Sequence, residues 1–65
     1  MSFTDIKNAI IDYDINRVKA LVKEHPAIVH SHNSNGETPL YTATNYGDLP
    51  IVEYLVDNLY ITKHS

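Results

Sequence analysis

His25, His30 and His32 crowd one short segment of the chain, and imidazole nitrogens are good ligands for zinc, copper or nickel. A folded loop could bring two or three of them to one metal ion. No cysteine occurs and no carboxylate at a fixed spacing completes a ligand set, so a metal-binding His-rich loop is the minor reading of this segment. Catalytic signatures are missing as well. There is no Gly-x-Gly-x-x-Gly, no phosphate-binding P-loop, no Gly-x-Ser-x-Gly and no His-Glu-x-x-His, which removes the local marks of nucleotide, hydrolase and zinc-protease chemistry. A chain of 65 residues also has little room for a concave pocket of several hundred cubic ångströms. No catalytic residue and no cofactor is expected, and the polar residues read as helix caps and turns.

The elements that would hold these residues are legible from local chemistry. In Thr38-Pro39 the threonine hydroxyl can accept from an unpaired first-turn amide, and proline loses a donor that had no partner there. A helix starts at that point. Leu40 and Ala43 lie on one face of it, and Gly47 follows where positive φ ends a helix after about two turns. Asp48 can cap a second helix, Pro50 falls in its first turn, and Val52, Leu55, Val56 and Leu59 repeat at helical spacing. Upstream, Asn33-Ser34-Asn35-Gly36 is a cluster of turn formers suited to a projecting tip.

Sliding the chain against itself by 34 residues sets Ala9 on Ala43, Asp14 on Asp48, Val18 on Val52, Leu21 on Leu55 and Val22 on Val56. Ile6 and Ile15 fall on Leu40 and Leu49. With the order turn, Thr-Pro-Leu, short helix, glycine and second helix between Gly36 and Val56, the chain resembles the ankyrin repeat family, whose period is about 33 residues. The resemblance implies an all-α fold of about two helix-turn-helix repeats joined by a projecting hairpin-like loop. Repeat 1 would span about 3–32 and repeat 2 about 33–61, within a single domain of residues 1–65 or an N-terminal fragment of a longer array. It also implies a non-catalytic protein-protein interaction module that binds through loop tips and first-helix faces. Carried onto this sequence, the partner-binding candidates are Ser34, Asn35, Glu37, Asn45 and Tyr46, with Ile11 and Asp12 their counterparts in the first repeat. Two departures stand out. Tyr41 replaces the histidine that ties neighbouring turns together in the family, and Tyr13 occupies the glycine slot of the first repeat, as in a degenerate N-terminal cap.

Helices are predicted near residues 3–12, 15–24, 39–46 and 49–59, with a long loop over 25–38 whose base is anchored by Ile28 and Val29. Ser2 and Asp5 have capping-box spacing, and Thr62 to Ser65 form a polar tail expected to fray. A net charge of −3 with five Lys and Arg argues against nucleic acid as partner. The sequence has neither a basic leader with a long apolar run nor an apolar stretch near the roughly 20 residues of a membrane helix. No membrane association and an intracellular, cytoplasmic protein are the expectations. Repeats leave an apolar face for a neighbour, and about three are needed for independent stability. Ile51, Leu59, Tyr60 and Ile61 add to that face here, so a homo-oligomer, a fragment of a longer array, or a self-assembling structural unit is anticipated.

Overall fold

The computed structural model describes residues 2–61, with side chains described through Leu59. The expected tail, and the side chains of Tyr60 and Ile61 expected to supplement the apolar face, lie outside that description. Four α-helices make up two hairpins: α1 (Phe3–Ile11) with α2 (Ile15–Glu24), and α3 (Pro39–Asn45) with α4 (Leu49–Ile61). Among the described residues there is no strand.

Three of the four helices, α1 to α3, begin where side-chain chemistry supplies a cap. The Asp5 carboxylate accepts from the Ser2 amide at 2.9 Å, Asp14 Oδ1 from the Arg17 amide at 3.1 Å, and Thr38 Oγ1 from the Tyr41 amide at 3.2 Å. Pro39 sits in the first turn of α3, as its missing donor requires. Asp48 heads α4 but differs from its counterpart Asp14. It is 7% exposed, and its Oδ2 is buried without a hydrogen-bond partner.

The corners between paired helices are closed differently in the two hairpins. Gly47 has φ of +68°, the left-handed conformation expected of a helix-terminating glycine. Tyr13, in the equivalent place, adopts φ of +56° despite its side chain. A bulky residue is rarely found there.

The long loop foreseen over 25–38 is helical over its first part. A 3-10 helix spans Pro26–His30, started by Pro26 after His25 and closed where the Ser31 amide donates to Ile28 O at 3.0 Å. Its five residues are too short to show helical periodicity in sequence. The expected anchoring role holds, because Ile28 and Val29 are both buried.

One core unites the hairpins. Ile6, Ala9 and Ile10 of α1, Val18, Leu21 and Val22 of α2, Ile28 and Val29, Ala43 of α3, and Ile51 and Leu55 of α4 form a single buried cluster with Phe3. Leu40, Val52 and Leu59 pack against it from the second hairpin. Contacts between hairpins run α1 to α3 and α2 to α4, with the 3-10 helix wedged against α2 and α4. First helices therefore line one side of the molecule and second helices the other.

Candidate functional site

The side formed by α1 and α3 carries a shallow groove of about 110 Å³, lined by Lys7, Glu37, Tyr41, Thr42, Asn45 and Tyr46. Lys7 projects from α1. Tyr41, Thr42 and Asn45 are placed by α3, Tyr46 closes its C-terminal end, and Glu37 comes from the finger just before Thr38. With a water's share of liquid volume near 30 Å³, the groove holds roughly three or four waters. It is well below the 300 Å³ or more of a small-molecule site, and fits a side-chain end presented by a larger partner.

Asn33 shapes the finger wall of this groove. Its Oδ1 accepts from the Asn35 amide at 2.9 Å and from the Glu37 amide at 3.0 Å, and its Nδ2 donates to Glu37 Oε1 at 2.7 Å. Gly36, at φ of +80°, makes the turn possible, and its amide donates to Asn33 O at 3.0 Å. The tip is a tight side-chain-organised turn rather than a pair of strands. Ser34 and Asn35 are exposed on it, and Glu37 is half-buried.

Thr42 is buried and its hydroxyl donates to Thr38 O at 3.0 Å. Glu37 Oε1 is held by Asn33, and the remaining polar side chains of the groove are uncommitted. Among the described residues, the Lys7 ammonium, the Tyr41 and Tyr46 hydroxyls and the Asn45 amide have no hydrogen-bond or ion-pair partner. Tyr41 is 51% exposed and Tyr46 42%, so both rings offer surface as well as a polar tip.

Three of the sequence-derived candidates, Glu37, Asn45 and Tyr46, converge on the groove. Ser34, Asn35, Ile11 and Asp12 do not line it: the first two sit on the finger tip, Ile11 is half-buried at the end of α1, and Asp12 is exposed just after it. Lys7, Tyr41 and Thr42 were missed. A signal for two of them was present, since Lys7 and Tyr41 are equivalent under the 34-residue offset and stand four residues before Ile11 and Asn45, on the same helical face.

Facing corners are joined by one bond, in which the Tyr13 hydroxyl donates to the Tyr46 carbonyl at 2.7 Å. It gives the large side chain at the glycine position a contact with the second hairpin that glycine could not make. His25, His30 and His32 are exposed, and no group of three or more His, Asp or Glu able to hold a metal forms among the described residues.

A family model described as ankyrin repeats (3 copies) matches residues 6–64, nearly the whole chain. The chain belongs to the ankyrin-repeat family. No curated protein and no solved structure gives a match. Ankyrin repeats are generally protein-protein interaction modules and typically non-catalytic. In this ankyrin chain the Thr-Pro-Leu motif is followed by Tyr41, which faces the groove instead of tying turns together, and the tie between repeats is made at the opposite corner by Tyr13. No described helix is long and apolar enough to cross a membrane.

Proposed function

We propose that this chain is a non-catalytic ankyrin-type binding module whose protein partner is held in the groove between α1 and α3, with the finger as one wall. The observation that carries the reading is the convergence of Lys7, Tyr41, Asn45 and Tyr46, four groups with unused hydrogen-bonding capacity, around a shallow depression. Buried polar groups find partners inside a fold. Those of the groove face solvent instead, and grouped around one depression they are available to a partner that displaces the water. Tyrosine suits such a face, offering a large amphipathic surface with few rotatable bonds. Ser34 and Asn35 on the tip, and Ile11 and Asp12 at the end of α1, form the outer rim. Repeat 1 over about 3–32 and repeat 2 over about 33–61 each contribute one first helix.

The test is site-specific photo-crosslinking in a native extract, with the crosslinker at position 45 or at Lys19 outside the groove. A protein adduct specific to position 45, whose affinity falls at least about 30-fold in Tyr46→Ala, a hot-spot-sized loss, is the expected result. Equal adducts from both positions would remove the reading.

A specific observation favours self-association as the second reading. Ile6, Val18 and Val22 are buried at 0%, 0% and 3% exposure, whereas their offset counterparts Leu40, Val52 and Val56 are only half-buried. That leaves apolar surface on the second hairpin which a second copy could cover. Sedimentation equilibrium decides it: a species of 7.4 kDa at every concentration would eliminate the dimer.

A further inference from the structure

Resting on the groove reading above, we infer that the segment recognised there is an acidic peptide, one carboxylate side chain of which enters the groove. Lys7 is the cationic group of the lining and has no ion-pair partner among the described residues. In the same lining, the Tyr41 and Tyr46 hydroxyls and the Asn45 amide are all able to donate, and none has a partner among the described residues. Donors that line one depression together with a cation are a complement for a carboxylate, which only accepts and has about four lone-pair directions to fill.

Glu37 is the one anion of the lining and has the same sign as the incoming carboxylate. Its Oε1 already accepts from Asn33 Nδ2 at 2.7 Å, and its backbone is fixed by Asn33, so this carboxylate is tied to the finger wall. Its second oxygen remains an acceptor for a peptide N–H. A single chain meets both demands, a carboxylate side chain toward Lys7 and a main-chain amide toward Glu37. Lysine or arginine in the same place would face Lys7 and three donors with one partly occupied carboxylate to satisfy it. Size agrees, since about 110 Å³ takes the end of a glutamate side chain and leaves the rest of the peptide on the surface.

The experiment is an amide chemical-shift titration of the whole 7.4 kDa chain with three capped pentapeptides, Gly-Glu-Gly-Glu-Gly and its glutamine and lysine counterparts. The expected result is saturable shifts at residues 7, 37, 41, 45 and 46 with the glutamate peptide and much weaker ones with the other two. In Lys7→Glu the glutamate peptide should weaken by about five- to tenfold and the lysine peptide should gain. Lys7→Met, which removes the charge without reversing it, should lose the glutamate preference alone, guarding against misfolding of the first variant. Preference for the glutamine or lysine peptide, shifts confined to other residues, or no shift at about 10 mM of any peptide would overturn the acidic assignment. None of these would touch the groove itself, because the crosslink at position 45 and its loss in Tyr46→Ala are read independently of charge.

Discussion

Tyr13 holds a conformation that glycine would adopt without cost, and the hydroxyl bond to Tyr46 O is the compensation. Positive φ at a bulky residue costs on the order of 1 kcal/mol or more, and an intramolecular hydrogen bond returns about 0.5–1.5 kcal/mol. Two substitutions separate the terms. Tyr13→Phe keeps the strain and loses the bond, so it should destabilise by about 1 kcal/mol. Tyr13→Gly relieves the strain while losing the same bond, and should lie closer to wild type. Urea midpoints of the three proteins at constant slope measure this, and a glycine variant less stable than the phenylalanine one would show that the ring packs more than it strains. Beside Tyr13, Asp14 makes a capping bond that its counterpart Asp48 does not, and one Asp48 oxygen is buried and unpartnered among the described residues. Asp14→Ala should therefore cost about 1 kcal/mol, and Asp48→Asn much less.

At the scale of elements, the finger depends on Asn33 rather than on strand pairing. Its amide serves both as acceptor for two backbone donors and as donor to Glu37. Asn33→Asp keeps the acceptors but sets a carboxylate against Glu37, so at neutral pH the two repel. The bond from Asn33 Nδ2 to Glu37 Oε1 is lost at the same time. Hydrogen exchange at the amides of residues 35 and 37 should be faster than wild type at pH 7. Equal exchange in the two proteins would mean that the Asn33 to Glu37 side-chain bond does not support the turn. The same finger forms one wall of the groove, so Asn33→Asp should also weaken any partner that contacts Glu37.

For the molecule as a whole, stability rests on a small core. A globular chain of 65 residues has roughly 3–10 kcal/mol in total, and Leu55 is 1% exposed within the shared cluster. Leu55→Ala should cost about 2–5 kcal/mol, enough to leave a large unfolded fraction visible by circular dichroism. The repeat supplies an internal control. Val18 and Val52 are equivalent under the offset, but Val18 is fully buried in the shared cluster and Val52 is only half-buried against it. Val18→Ala should cost about 2 kcal/mol and Val52→Ala about half that or less. Equal costs in dilute solution would show that a second copy already covers Val52.

Local chemistry is why so much of this chain could be read from its sequence. Capping side chains, Pro39 in a first turn, Gly47 at a helix end and apolar residues at helical spacing act over a few residues, and they placed α1 to α4 within one or two positions of the structure. The 34-residue self-match reports that two segments face the same packing problem, which is why the common interior of Val18, Leu21, Val52 and Leu55 was legible. The 3-10 helix, the Tyr13 staple and the groove were not. Each needs residues distant in sequence to meet: Ile28 and Val29 are buried against α2 and α4, Tyr13 reaches a carbonyl 33 residues away, and Lys7 joins Tyr41 and Asn45 only because α1 lies against α3. Side-chain periodicity shows which face of a helix turns inward. Which outward residues become neighbours is decided by how the hairpins dock.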